Sequence, residues 1–207
     1  MKKGIIALLV CMLIFLGSTP VFASYGKEHI KLGNFAHKST STTIIKIYKH
    51  SSVTSYGYSG AIDRGASEWD NASTKISFQS TSDEDCTECI AFYVGSNTLD
   101  PGVLAGTGYF KKNWLGIWDP IDPDDVTNGT NFTRARVSVD DAHLDEVGAD
   151  STLNKMVMGH EIGHALSLNH FDIPPAHSGE HWMSERANWL TAPTTTDKAH
   201  LTYKWGS

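Results

Sequence analysis

The stretch His160-Glu161-Ile162-Gly163-His164-Ala165-Leu166-Ser167-Leu168-Asn169-His170 decides how this chain is read. His160 and His164 are four apart in a segment whose apolar residues Leu153, Met156 and Val157 recur at helical spacing. A helix beginning near Ser151, after Asp150 or Ser151 as N-cap, sets the two imidazoles on one face, about 5–6 Å apart at Cβ. Two such imidazoles can grip one ion, and zinc accepts neutral imidazole nitrogen at about 2.0–2.1 Å. Glu161, about 100° around the helix from His160, is placed to act as general base. On a continuing helix His170 would point away from His164, so for His170 to be the third ligand the chain must turn near Ser167. A carboxylate such as Glu180 or Glu185, or another histidine, stays open as an alternative third ligand. His177, His181 and His200 read as loop or surface residues.

HEIGHALSLNH resembles the metzincin zinc signature HExxHxxGxxH, and within that clan it is similar to the matrixins. Further on, His181-Trp182-Met183-Ser184 offers a counterpart of the clan's Met-turn, with Met183 as a floor beneath the metal. The resemblance implies a metzincin-like α+β catalytic domain over 42–207. It would have a twisted mixed β-sheet packed with a long helix and a zinc-bearing active-site helix, and a short C-terminal subdomain ending in a helix. It further implies one catalytic Zn²⁺ held by His160, His164 and His170, and a zinc-activated water attacking peptide bonds with Glu161 as base. Two departures stand out. Ser167 occupies the glycine position, where a positive φ costs a non-glycine residue on the order of 1 kcal/mol. No tyrosine closely follows Met183 to serve as a phenolic helper. A zinc-stabilised peptide-binding module without catalysis is the competing reading. Glu161 argues against it, because a purely structural zinc is usually closed by a fourth protein ligand and needs no adjacent base.

Outward from this centre, strands are expected at 42–48 (TTIIKIY), 75–79 (KISFQ), 90–94 (IAFYV) and 134–139 (RARVSV). An amphipathic helix from about Tyr58 to Asn71 carries Trp69 as a core anchor. Residues 103–110 read as a glycine-containing edge or irregular strand, able to take an extended peptide as an added strand. Asp119, Asp122, Asp124 and Asp125 crowd a loop that reads as solvated and could bind calcium. Thr196 to Leu201 and Tyr203 resemble the family's closing helix.

The chain begins with Lys2 and Lys3, an apolar run from Ile5 to Leu16 and the exit Val21-Phe22-Ala23, the pattern of a signal peptide over 1–23. Residues 24–41 form a short N-terminal segment. The whole chain carries 23 acidic against 17 basic side chains, a net charge of −6, and removal of the two lysines makes the remainder more acidic still. That balance disfavours nucleic acid and anionic membrane surfaces as partners. It suits a secreted, extracellular, monomeric single domain acting on protein or peptide substrates, with no stable membrane association. In an oxidising compartment Cys86 and Cys89, three residues apart, can close a local disulfide.

Overall fold

The computed structural model describes residues 27–206 apart from 40, 175 and 187. The expected signal peptide over 1–23 lies outside the described residues. The architecture is α+β, with a six-stranded mixed sheet ordered β2-β1-β3-β6-β4-β5. Its strands are β1 (Thr43–Lys49), β2 (Ile76–Thr81), β3 (Cys89–Gly95), β4 (Ala105–Lys112), β5 (Trp118–Ile121) and β6 (Arg134–Asp140). β2, β1, β3 and β6 run parallel to one another, whereas β4 is antiparallel to both β6 and β5. Alternation in the sequence dictates which residues go inward: Ile45 and Ile47 of β1, Ile90 and Phe92 of β3, and Val137 and Val139 of β6 all join one core. On the other face Tyr48, Ala91 and the Cys86–Cys89 disulfide form a small second cluster.

Helices α1 (Ser51–Ser55) and α2 (Ser59–Asp70) follow β1; α3 (Pro123–Thr127) and α4 (Asp141–Glu146) flank β6; α5 (Ser151–Ala165) and α6 (Thr195–Trp205) come last. Trp69 of α2 is fully buried, stacks on Trp182 at 5.3 Å between ring centroids and donates its indole N–H to the Gly159 carbonyl at 2.7 Å. Gly65 of α2 faces Gly159 of α5 so closely that a methyl group on Gly65 would lie 3.0 Å from the Gly159 Cα. Those two glycines allow the helix axes to approach, which carries α5 and its histidines into the core.

The short elements α1, β5, α3 and α4 escape a periodicity reading. In the acidic stretch Asp122 caps α3 by accepting from the Asp124 N–H at 2.9 Å, and Asp119 accepts from Asn113 at 3.3 Å. Among the described residues, the carboxylates of this stretch form no group of three close enough to share an ion. Residues 103–110 also differ in part from expectation. β4 is internal at Tyr109 and Phe110, which pair with both β5 and β6, while Ala105–Gly108 pair only with β6 and keep an outer edge among the described residues.

The segment before β1 is bound to the end of the chain. Ile30 bridges to Leu168, and the buried Lys204 of α6 donates to the carbonyls of Lys31, Leu32 (2.9 Å) and Gly33 (2.8 Å). Desolvation pushes this ammonium's pKa down to about 7, and the three carbonyls supply one acceptor for each of its protons. Lys204→Met keeps the stem and leaves three inward-facing carbonyls unpaired. We expect it to destabilise the fold by roughly 2–3 kcal/mol, read as a lower urea midpoint at unchanged m-value.

Candidate metal centre and active site

Asp150 starts α5 by accepting from the Thr152 and Leu153 N–H groups at 2.8 and 2.9 Å. The helix then delivers His160, Glu161 and His164 to one cleft. It closes on Ser167, whose φ of +68° is left-handed. The Ser167 N–H donates to the His164 carbonyl at 2.9 Å and the Leu168 N–H to the Gly163 carbonyl at 3.0 Å, the paired bonds that end a helix on a left-handed residue. The turn expected at Ser167 is therefore present, made by a residue that pays for its side chain. Its buried hydroxyl has no hydrogen-bond partner, an added cost.

The turn brings His170 back. Its Nε2 lies 3.2 Å from His160 Nε2 and 3.0 Å from His164 Nε2. His160 Nδ1 is 2.8 Å from the Trp182 carbonyl and His164 Nδ1 is 2.9 Å from the Leu168 carbonyl. A carbonyl only accepts, so each Nδ1 carries the proton and each Nε2 turns a lone pair toward the common point. One proton on His170 could satisfy only one of two such lone pairs; a cation satisfies all three nitrogens. Tetrahedral ligands at zinc's usual distance would stand roughly 3.3 Å apart, close to the spacing found. Burial lowers the pKa of His160; it takes His164 well below the ordinary range, with His160 and His170 adding to the effect, and His170 down to about 4. The donor set, its tautomers and its neutrality all fit zinc. His170, not Glu180 or Glu185, completes the group.

Glu161 is buried beside these histidines, and desolvation raises its pKa to about 7 against a 2.7 Å hydrogen bond from the Thr107 hydroxyl. Thr107 belongs to β4, and sequence reading gave it no role; nothing in a Gly-Thr-Gly stretch signals that its hydroxyl will meet a helix 54 positions away. Tyr109, also on β4, donates to the His164 carbonyl at 2.8 Å and so braces the helix end from behind. With Val103 and Leu104 on one side and Glu185 and Arg186 on the other, the cleft over this centre measures about 610 Å³.

Met183, expected from the sequence as a floor beneath the metal, packs against Gly163 of α5. Met183 is fully buried, its sulfur occupying the space a Gly163 side chain would fill, and the Trp182 ring likewise fills the space beside Gly159. The Trp182 and Met183 N–H groups both donate to the buried Asp197 carboxylate, at 3.0 and 3.1 Å. Asp197 also closes a capping box with Thr194 at the start of α6. A Thr-x-x-Asp spacing announces that cap, but not the two turn amides the same carboxylate holds.

No protein-family model matches this sequence, and no curated protein does. Among solved structures, it is similar to high choriolytic enzyme 1, a hatching-enzyme zinc protease from the medaka Oryzias latipes, at 12% identity and TM-score 0.43, over 79% of this chain and 90% of that one. Myroilysin is similar at 13% identity and TM-score 0.45, over 88% and 93%, and a second myroilysin structure at 12% and 0.42, over 82% and 96%. Likeness at this level is one of outline, so the reading of the site rests on its own geometry.

The remaining histidines correct the sequence reading. His200 is fully buried in α6, His181 is buried with its ring nitrogens near Thr194 Oγ1 (3.3 Å) and the Ser178 carbonyl (3.1 Å), and only His177 is partly exposed. Loop-like flanks hid them, because burial here comes from docking of the N-terminal segment and α6, which no local pattern reports.

Two substitutions test the support of the centre. Gly159→Ala drives a methyl into the Trp182 ring, whose own carbonyl orients His160. We expect a loss of roughly 1–3 kcal/mol in stability and a 10–100-fold weaker zinc affinity, measured by competition with a chromogenic chelator. Ser167→Gly keeps the turn and relieves its strain. It should raise stability by up to about 1 kcal/mol in urea titration with zinc content unchanged.

Proposed function

We propose that this chain is a secreted zinc-dependent endopeptidase of metzincin type, matrixin-like in its signature. The observation that carries the reading is the convergence of three imidazoles, two of them with tautomers fixed by backbone carbonyls, beside one buried carboxylate at the base of an open cleft. A structural zinc site would have no use for Glu161, which a protein would not bury without return.

His160, His164 and His170 would hold the metal through Nε2. Zinc in that place supplies Lewis acidity, lowering the pKa of water toward about 7 and polarising a substrate carbonyl. The chain's own groups do the rest. A carboxylate whose pKa stands near 7 is matched to take a proton from an attacking water and return it to the leaving amine. Thr107 fixes the rotamer of that carboxylate through Oε2, leaving Oε1 for the proton. The outer edge of β4 at Ala105–Gly108 offers main-chain donors and acceptors to an extended polypeptide, which would lie across Glu161 as an added strand. Neither Met183 nor Tyr109 reaches the reacting groups in this scheme; they keep the floor and the helix end in place.

Purified protein loaded with zinc should cleave a quenched unfolded-protein substrate. Glu161→Ala should bind as much zinc as the wild type and cleave at least about 100-fold more slowly. A zinc-loaded wild type that holds extended peptides and cleaves none would replace this reading with that of a zinc-stabilised peptide-binding module.

A further inference from the structure

His29, His177 and His200 form a second group outside the cleft. Each offers one ring nitrogen, and the three nitrogens lie within 4.8 Å of one another. They come from three separate parts of the chain: the 3₁₀ turn Lys27–His29, the loop between His170 and Met183, and α6. His177 Nε2 and His200 Nε2 are 2.8 Å apart. His29 Nε2 is 2.8 Å from the Ile173 carbonyl, so it carries the proton and leaves the lone pair on Nδ1. That Nδ1 is buried and has no hydrogen-bond partner. A hydrogen bond between His177 and His200 accounts for their contact but does nothing for His29.

The wiring repeats that of the cleft. In both groups a ring nitrogen is committed to a backbone carbonyl, which fixes that imidazole's tautomer and leaves the lone pair on its other nitrogen. Phe171 packs against the rings of His200 and His29 at 4.5 and 5.4 Å between centroids, giving the group an apolar wall. Desolvation lowers the pKa of His177, and that of His200 to about 3, which keeps both in the neutral form that binds metals. His177 is partly exposed and leaves a way in for an ion.

From this arrangement we propose that His29, His177 and His200 bind a second zinc ion, structural in role, that clamps the N-terminal segment and α6 to the loop carrying the Met183 turn. The clamp acts on the first centre through the chain. The His29 carbonyl accepts from the Asn169 N–H at 2.9 Å, directly before His170, and the Phe171 N–H donates to the Met183 carbonyl at 2.9 Å. No carboxylate belongs to the group, so imidazole-preferring zinc fits it and calcium or magnesium does not.

The test counts zinc by elemental analysis on purified protein after gel filtration. Wild type should carry two equivalents. His29→Ala and His177→Ala should each lose one, and the double variant His160→Ala/His164→Ala should lose the other while keeping the second. His177→Cys separates a ligand from a packing residue, because the only other cysteines beyond the first residues are joined in a disulfide. Loaded with cobalt, that variant should gain a near-ultraviolet thiolate-to-cobalt absorption that wild type lacks. Retention of a single equivalent by His160→Ala/His164→Ala, lost again on His177→Ala, would uphold this site even if the peptidase reading failed. One equivalent in wild type that disappears with His160→Ala/His164→Ala, together with no thiolate band in His177→Cys, overturns the proposal and leaves the His177–His200 contact an ordinary hydrogen bond.

Discussion

The reversal of the chain at Ser167 is the constraint on which the centre depends. A helix carries His160 and His164 to one point, but no helix can carry His170 there as well. The backbone must leave α5 within three residues and return, and the left-handed φ of +68° at Ser167 does this. The same turn presents the Leu168 carbonyl to His164 Nδ1 and the Ser167 carbonyl to the Lys31 N–H at 2.8 Å. One strained residue therefore sets the position of the third histidine, the tautomer of the second and the docking of the N-terminal segment. The strain is offset by the hydrogen bonds gathered around it.

Below the turn, the limiting quantity is space. Gly159 and Gly163 lie on the face of α5 that meets Trp182 and Met183, and Gly65 lets α2 come equally close. Glycine is unfavourable inside a helix by roughly 1 kcal/mol relative to alanine, a cost repaid by fully burying Trp69, Trp182 and Met183. Asp197 then holds the Trp182–Met183 amides from α6, so the floor of the site is fixed from the far end of the chain. The rigidity of the histidine triad comes from these contacts and not from the helix alone.

Much of this was legible in the sequence. Strands β1, β2, β3 and β6 and helices α2 and α5, with an N-cap at Asp150 or Ser151, follow from alternation, helical spacing and capping chemistry, which are local, whereas α6 rested on resemblance to the family's closing helix. The short elements α1, β5, α3 and α4 were not legible, because four to six residues hold too few periods to register. Thr107, Tyr109 and Asp197 act through long-range hydrogen bonds, and one polar residue at a distance leaves no pattern. His181 and His200 were misread for a related reason: histidines in a polar loop or on a polar helix look exposed until another segment covers them.

By itself, then, the sequence determined which residue types stand at metal-binding spacing, where the helix bearing them starts, and that it must break before His170 if that histidine is to join the other two. These are properties of a few consecutive residues governed by backbone geometry. Only the tertiary structure decided that His170 and no carboxylate completes the triad, that Thr107 orients Glu161, and that His29, His177 and His200 meet. The last two join positions tens to more than a hundred residues apart, and all of them form only when the sheet, α5 and α6 bury their apolar faces together.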